Sequence, residues 1–413
     1  MEKVTFAIAG MGNRGSRYAL KQLEFPDDML VTAIADPKDI CLEAANEYLH
    51  LPEDRRFHSV DEMLAADKLA DVMIIATQDA QHKAHAIAAL RKGYDLVLEK
   101  PIANHLEDCE EIAAEAEKLG RRVLVCHVLR YTPFYREVKN QIMSGALGKV
   151  ESVEAIEGVG YYHIAHSYVR GNWHKEADSS PMIVAKCCHD MDLLLWLTDK
   201  KCLKLNSFGS LDHFKAENCP EGATERCTDG CPHYDTCPFC APKFYLSRLP
   251  GWPTHILNPN PTEENIMESL RTTNYGRCVY KMDNDVVDHQ TVNLLLEDGV
   301  TASFQMIGFT AKQDRRIRIM GTEGELWGDF RSNQIHVQRF NEEEQVIDVS
   351  GRAKSFSGHG GGDSSLIKDA IRYFRNEEFD RTSITELTPS VESHRVAFAA
   401  ERSRVAGGEL VTL

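Results

Sequence analysis

The stretch most suggestive of chemistry is the tripeptide Glu99, Lys100 and Pro101, which directly follows an apolar run at residues 96–98. A strand that only supports a fold fades into polar turn residues, whereas this one ends in a carboxylate and an ammonium group. Pro101 fixes its own φ and biases Lys100 towards an extended backbone. Ligands of parallel α/β sheets bind just outside the carboxyl ends of the strands. We therefore predict Lys100 as a catalytic proton donor or acceptor.

A second group of titratable side chains, Lys186, His189 and Asp192, stands just before an apolar run at residues 193–197. The spacing of three residues predicts that they share one face of a helix near its start. A histidine there can remove a hydroxyl proton while hydride leaves the carbon. We therefore predict His189 and Lys186 as catalytic groups, with a salt-bridged helix cap as the alternative.

Residues 166–174 are dense in hydrogen-bonding and stacking side chains. Trp173 offers a face for a sugar ring, and Arg170 and Asn172 offer donors for hydroxyls or an anionic group. An ordinary polar loop is the alternative, because no spacing rule supports the assignment. The residues predicted to bind substrate are His127, Arg130, Tyr168, Arg170, Asn172, Trp173 and His189.

The amino terminus supplies a candidate cofactor site. A strand-like apolar run leads into Gly10, Gly12 and Gly15 with G-x-G-x-x-G spacing, and a helical stretch follows. These glycines permit a tight turn, the approach of a pyrophosphate and close helix packing. Asp36 ends the next strand, 21 residues beyond Gly15, where an acid accepts hydrogen bonds from the adenosine ribose. An acid there also repels a 2′-phosphate, so we predict NAD rather than NADP, with a structural glycine turn as the alternative.

Strands and helices alternate over about the first 130 residues, which predicts a doubly wound parallel α/β sheet. The strand ends expected on one edge are Gly10, Asp36, Thr77, Lys100 and His127. His82 either lies near the nicotinamide ribose or is a solvated helix histidine. The residues predicted to bind the cofactor are Gly10, Met11, Gly12, Asn13, Arg14, Gly15, Asp36, Thr77, His82, Glu99 and Lys100.

A substrate-binding α/β domain at residues 131–413 is predicted to follow the Rossmann domain at residues 1–130. Period-two alternation indicates an antiparallel sheet with one buried and one free face, and a free face invites self-association. Its strands are predicted at residues 292–296, 301–309, 316–320, 325–330 and 334–340. A glycine-rich loop at residues 358–363 is either a flexible connection or a means of bringing His359 to the active site. A terminal helix, predicted at residues 390–404, packs back for structure.

Five of the 12 cysteines cluster in a segment without apolar periodicity, so we predict a Cys-rich insertion at about residues 213–245. The candidate metal ligands are Cys227, Cys231, Cys237 and Cys240. Their C-x₃-C and C-x₂-C pairs are compact, and four thiolates can close tetrahedrally on a structural zinc ion. Reduced thiols packed under a loop and disulfides are the alternatives.

The formal net charge of −16 argues against nucleic acid or an anionic membrane as the main partner. No apolar run approaches the ~18 residues of a membrane span, and the first residues lack a signal-peptide pattern. Cysteines without an export signal indicate reduced thiols. We therefore expect a cytoplasmic protein with a small-molecule partner.

These residues resemble the glucose-fructose oxidoreductase / inositol dehydrogenase / rhizopine-catabolism (Gfo/Idh/MocA) family. The resemblance rests on residues 10–15, Asp36, residues 89–94 and above all the tripeptide at residues 99–101. It implies a Rossmann domain followed by an α+β domain with an open, mainly antiparallel sheet. It also implies tightly held NAD(H) or NADP(H), sugar or polyol substrates, and a homodimer or homotetramer formed through the open sheet. In the family pattern the lysine contacts cofactor and substrate, and its proline is commonly cis.

The family pattern around His189 is Asp-x-x-x-His-x-x-Asp, and this sequence departs from it because Ala185 occupies the first aspartate position. We therefore expect Lys186 to assist. The expected function is an NAD(H)-dependent oxidoreductase that passes hydride between nicotinamide and a ring carbon of a cyclic sugar, glycoside or inositol-like polyol. An NAD-dependent glycosidase that oxidises, eliminates and re-reduces is the enzymatic alternative. A non-catalytic NAD-binding sensor is the alternative from another class.

Overall fold

The computed structural model describes residues 2–352 and 357–413. Contacts divide these residues into two compact units. Unit 1 comprises the described residues of Met1–Val153, Cys188–Lys201 and Arg318–Phe398, and unit 2 comprises Glu154–Cys187, Cys202–Ile317 and Ala399–Leu413. Each unit is therefore assembled from separate stretches of chain, and the domain boundary at residue 130 stays a prediction.

The amino-terminal sheet has six parallel strands in the order β3-β2-β1-β4-β5-β6, which is the order of dinucleotide-binding folds. The strands are β1 (Val4–Ala9), β2 (Met29–Ala35), β3 (Arg56–Phe57), β4 (Val72–Ile75), β5 (Asp95–Leu98) and β6 (Val123–Val125). The register pairs Ala9 with Ala35 and Ile75, and pairs Leu98 with Ile75 and Val125. Five strands thus end level, which confirms the predicted doubly wound sheet and its single carboxyl edge.

Both faces of this sheet are covered by helices. The helices between its strands and just after them are α1 (Asn13–Ala19), α2 (Lys21–Glu24), α3 (Asp39–Leu49), α4 (Val60–Ala65), α5 (His82–Arg91) and α6 (Leu106–Lys118), and α7 (Pro133–Met143) follows the sheet in the chain. Phe6 and Ile8 of β1 enter an apolar core shared with α1 and α3, whereas Ala7 and Ala9 enter a second core shared with α5 and α6. A strand buried on both faces requires a continuous apolar run, as β1 has.

The second sheet has nine strands in the order β14-β13-β12-β11-β7-β10-β9-β8-β15. The strands are β7 (Val150–Gly158), β8 (Cys202–Ser210), β9 (His289–Leu296), β10 (Thr301–Ile307), β11 (Asp314–Gly321), β12 (Gly324–Asp329), β13 (Gln334–Arg339), β14 (Gln345–Asp348) and β15 (Val411–Thr412). Alternate residues of β9 and β10 are buried and the pair is antiparallel, which confirms the predicted sheet. Sequence patterns missed β8, which does not alternate strictly, and β14, which is mostly exposed.

The remaining helices correct one prediction about the site. They are α8 (Tyr161–Ile164), a π-helical turn (Ala165–Val169), α9 (Met182–Ala185), α10 (Cys188–Thr198), α11 (Ala241–Leu246), α12 (Thr254–Leu257), α13 (Glu263–Thr272), α14 (Ser357–Gly360), α15 (Gly362–Phe374) and α16 (Leu387–Val405). Lys186 ends α9 with a φ of −106°, whereas His189 belongs to α10. The prediction that these two residues share one helix face is therefore wrong. Within the described residues, no helix is both long and apolar enough to cross a membrane.

Candidate active site

The glycine-rich turn after β1 leaves room for a ligand. Gly10 has a φ of +91°, and a Cβ atom there would lie 2.5 Å from the carbonyl oxygen of Ala76. A Cβ atom on Gly15 would lie 1.8 Å from the carbonyl oxygen of Gly10, so the helix packs directly on the turn. A Cβ atom on Gly12 would meet nothing within 4 Å. Gly10 and Gly15 thus shape the turn, and Gly12 leaves open space beside it.

Asp36 is tied to this turn. Its carboxylate is 8% exposed and accepts hydrogen bonds from the backbone N–H of Met11 at 2.8 Å and of Lys38 at 2.9 Å. A carboxylate has about four acceptor sites, so acceptor capacity for ribose hydroxyls remains. Contact between Asp36 and a ribose stays a prediction.

An ion network joins the glycine-rich turn to the tripeptide after β5; we call Arg14, Tyr18, Glu99 and Asp363 the Arg14 network. Arg14 is half-buried and the other three residues are buried. Arg14 Nε and the Tyr18 hydroxyl both donate to Glu99 Oε1 at 2.6 Å, and Arg14 Nη2 donates to Asp363 Oδ1 at 2.7 Å. Burial opposes ionisation of Glu99, but Arg14 and Lys100 nevertheless lower its pKa. Arg14 and Glu99 are both predicted to bind the cofactor, and in the structure they form an ion pair with each other.

The backbone around Lys100 is fixed from several sides. Glu99 Oε2 accepts from the N–H of Lys100 at 3.0 Å, and the Lys100–Pro101 peptide bond is cis, as the resemblance implied. His82 Nδ1 donates to the carbonyl of Pro101 at 2.8 Å, and its side chain is 1% exposed. The alternative of a solvated His82 is therefore wrong. Thr77 Oγ1 lies 3.1 Å from Nδ1 of His85, at the end of β4.

Four histidines of unit 1, named here the histidine cluster, lie ring to ring. They are His127, His189, His359 and His394. The ring centroid of His127 is 5.7 Å from that of His189 and 5.5 Å from that of His394. His394 Nε2 accepts from the N–H of Ile102 at 3.0 Å, so this helix residue also supports the segment after Lys100.

His127 is fully enclosed, as is His394 of the same cluster. Its side chain is fully buried, and neither ring nitrogen has a hydrogen-bond partner within the described residues. Burial, reinforced by the positive charges of Arg130 and Lys100, holds the pKa of His127 well below its usual range. His127 is therefore a neutral imidazole beside His189.

Asp192 and Arg130 form a buried bidentate pair behind these rings. Arg130 Nε and Nη2 donate to the two carboxylate oxygens at 2.7 and 2.5 Å, and the guanidinium lies 5.4 Å from the centre of the Trp196 ring. Burial raises the pKa of Asp192, and Arg130 opposes this shift. Both groups thus fix α10, while a contact between Arg130 and substrate stays a prediction.

The predicted site residues of unit 2 make other contacts. Lys186 Nζ lies 3.2 Å from the fully buried carboxylate of Glu157, and Arg315 Nε lies 2.9 Å from it. Arg170 donates to the carbonyls of Arg277 and Phe239, both at 2.8 Å. Arg170 therefore holds two loops together. The catalytic role of Lys186 and the substrate contact of Arg170 stay predictions.

The rest of the polar loop in unit 2 is partly aromatic packing. The rings of Tyr168 and Trp173 lie 6.0 Å apart, and Tyr168 is 4% exposed. Asn172 is exposed. Their contacts with substrate stay predictions.

The cysteine segment does not support the predicted zinc site. Cys227, Cys231, Cys237 and Cys240 line one cavity, together with Cys278 and Arg170, which we call the thiol cavity. Within the described residues, no group of three or more His, Cys, Asp or Glu side chains is arranged to hold a metal ion. Burial raises the pKa of the Cys237 thiol and of the Cys240 thiol. Nη2 of Arg170 lies 3.7 Å from the sulfur of Cys227. All twelve cysteines have free thiols.

Sequence patterns missed three residues of the site. Tyr18 and His394 lie inside helices without any local signal, whereas Asp363 is the last residue of the glycine-rich loop at residues 358–363. That loop was the only available signal, and it pointed to His359 rather than to its neighbour.

Level strand ends, a glycine-rich turn and a tethered acid define a Rossmann-fold dinucleotide-binding protein. Residues 4–127 match the oxidoreductase family with an NAD-binding Rossmann fold, GFO_IDH_MocA. This match covers the amino-terminal third of the chain and confirms the resemblance seen in the sequence.

Related proteins align with different shares of the chain. The YteT protein of Bacillus subtilis (strain 168) is 26% identical over 392 residues, 89% of this chain and 88% of YteT. The inositol 2-dehydrogenase/D-chiro-inositol 3-dehydrogenase of Lactiplantibacillus plantarum is 25% identical over 204 residues, 49% of this chain and 54% of that protein. The WlbA dehydrogenase of Chromobactrium violaceum, solved with NADH and UDP-GlcNAcA, shares the fold with a TM-score of 0.70, 18% identity and coverage of 100% and 96%.

Proposed function

We propose that the protein is an NAD(H)-dependent oxidoreductase that acts on a ring hydroxyl of a cyclic sugar or polyol. The observation that carries the proposal is the position of Lys100. It follows the level end of β5, and the Arg14 network ties it to the glycine-rich turn. The substrate class is supported by the similarity to an inositol dehydrogenase and by a structural neighbour that binds NADH and a nucleotide sugar.

The residues of the first turn fit a dinucleotide. Gly12 leaves open space, and the first N–H groups of a helix have no partners within the helix, so residues 12–15 would hold the pyrophosphate. Asp36 would accept from the adenosine ribose. When bound, nicotinamide exchanges hydride with the substrate carbon.

Two side chains of unit 1 would handle the hydroxyl proton. The Lys100 ammonium is a hydrogen-bond donor and would orient the reacting oxygen. His189 would accept the hydroxyl proton as the carbon is oxidised and return it in the reverse direction. The neutral, buried ring of His127 would exclude water from one side of His189.

A substrate screen tests the proposal. The purified protein would be incubated with NAD and a panel of sugars, glycosides and inositols while NADH absorbance is followed. Stoichiometric NADH with one panel member supports a dehydrogenase. Release of an aglycone without net NADH would point instead to a glycosidase that oxidises transiently. Tight NAD binding in calorimetry without turnover of any panel member would contradict the enzymatic proposal.

The same calorimetry tests the cofactor preference. Asp36→Ser removes the negative charge that repels a 2′-phosphate, so the ratio of NADP to NAD affinity should rise roughly tenfold, equivalent to about 1.4 kcal/mol. Asp39→Ser, which changes an exposed acid at the start of α3, is the control. An unchanged ratio in Asp36→Ser would show that Asp36 does not face the ribose.

A further inference from the structure

His359 is held in an unusual backbone conformation. Its φ is +48°, and Gly360 and Gly361 follow with φ values of +60° and +87°. Non-glycine residues rarely adopt this left-handed region, and such residues persist where the surroundings fix them. A Cβ atom on Gly360 would lie 2.6 Å from the Phe330 ring, so the loop approaches its neighbours closely. The chain thus presents the His359 side chain in one defined place.

Asp363 orients the His359 ring. Its carboxylate is 2% exposed, and Oδ1 lies 3.3 Å from Nδ1 of His359. Burial opposes ionisation, but Arg14 and His359 hold the pKa of Asp363 well below its usual range. An ionised carboxylate only accepts hydrogen bonds and lies slightly nearer to Nδ1 than the Arg14 Nη1 donor at 3.4 Å, so we assign the proton of neutral His359 to Nδ1. Nε2 is then the nitrogen that can take up a proton.

The His359 ring neighbours His189 and is itself exposed to solvent. Its centroid is 6.2 Å from that of His189, and its side chain is 37% exposed. His189 also neighbours the ring of His127, which is fully buried and neutral. Of the two rings next to His189, only that of His359 is exposed to water, so His359 is the better acceptor for a proton that arrives on His189.

We propose that His359, oriented by Asp363, exchanges protons between His189 and water. The inference rests on the proposed function, in which oxidation of the hydroxyl leaves a proton on His189. That proton passes through a bridging water to Nε2 of His359, because ring centroids 6.2 Å apart leave the ring nitrogens beyond hydrogen-bond distance. It then passes to bulk water or buffer, and no electrons move in this step. His359 acts through His189, so it is a positioning residue for proton exchange. The charged groups that face it are Asp363 on α15 and Arg14 on α1, whose Nη1 lies 3.4 Å from Nδ1.

The test uses the protein with ¹⁵N-labelled histidine and no ligand. NMR shifts of the ring nitrogens should show neutral His359 protonated on Nδ1. Exchange of the His189 ring N–H with water should slow at least tenfold in His359→Gly, which keeps the left-handed backbone but removes the ring. Added imidazole should restore the exchange rate, an effect that a merely structural role would not produce. His289→Gly is the matched control, since His289 is 40% exposed and its Nδ1 lies 2.8 Å from Asp288.

Unchanged exchange in His359→Gly, a failure of imidazole to restore it, or a proton on Nε2 of neutral His359 would overturn the proposal. His359→Asn is the second variant, because asparagine tolerates the left-handed region, and it covers the case in which the glycine variant does not fold. The measurement needs neither NAD nor substrate. Proton exchange can therefore fail while the oxidoreductase proposal stands, and the substrate screen can fail while the exchange is observed.

Discussion

The histidine cluster of unit 1 and the thiol cavity of unit 2 both gather titratable side chains, but they are built differently. The four histidines come from four separate elements around a level sheet edge. The thiols come mainly from one short segment, which Arg170 holds through backbone carbonyls. Titratable side chains that several independent elements bring together indicate a functional site. When a single loop brings them together, the packing of that loop is enough to explain why they are close.

Replacing Lys100 should have the largest effect on turnover of all the variants. A small effect would contradict the view that the sheet edge with the histidine cluster is the active site. Lys100→Met removes a proton-handling group, so turnover of the best panel substrate should fall about 10²–10⁴-fold, while calorimetric NAD affinity changes little. Lys118→Met, at a side chain that is 71% exposed, is the control. Near-normal turnover in Lys100→Met would show that Lys100, at the edge of the sheet, has no catalytic role.

Arg130→Met should strongly destabilise unit 1. The change leaves the buried Asp192 carboxylate without its bidentate partner, and breaking a buried pair costs about 3–5 kcal/mol. Urea denaturation would measure the free energy of unfolding. Arg318→Met breaks a pair with Glu325 whose arginine is 50% exposed, and should cost about 1 kcal/mol or less. Equal losses in the two variants would contradict the assignment of the Arg130 pair as buried support.

Arg170→Met addresses the thiol cavity in the same way. Two backbone carbonyls lose their donor, so unit 2 should lose about 1–3 kcal/mol and its thiols should become more accessible. The rate of maleimide labelling, followed by mass spectrometry at Cys227 and Cys237, would show this. Arg271→Met, on an exposed face of α13, should leave labelling unchanged. If Arg170→Met labels no faster than the wild type, Arg170 does not close the cavity.

The smallest expected effect is a pH dependence. Burial lowers the pKa of His394 to about 3, whereas an unfolded histidine titrates near ~6.5. The unfolded state therefore binds a proton that the folded state excludes, and stability falls as the pH drops from ~6.5 towards ~3. His394→Gln should reduce this fall between pH ~6.5 and pH ~4, measured as the difference from wild type in urea denaturation. His289→Gln should leave the fall unchanged. If the free energy of unfolding depends on pH identically in the wild type and in both variants, His394 is not held neutral in the folded state.

Much of the fold followed from local patterns. The strand-like run that leads into Gly10 forms β1, and Lys100 lies at the sheet edge because a doubly wound topology places the strand ends there. The Arg14 network could not be predicted, since Tyr18 and Glu99 are 81 residues apart in the chain. Spacing also misled at Lys186, because a turn interrupts the helix that the i, i+3 rule assumed.

The Arg14 network has a consequence for how this sequence can change. Loss of Arg14 alone would leave the buried carboxylates of Glu99 and Asp363 without their cationic partner. Loss of Glu99 alone would leave the Arg14 guanidinium and the Tyr18 hydroxyl without their shared acceptor. Single replacements at these positions are therefore costly, whereas a concerted replacement of several can be tolerated. The four positions form one epistatic unit, and variation at any of them depends on the state of the other three.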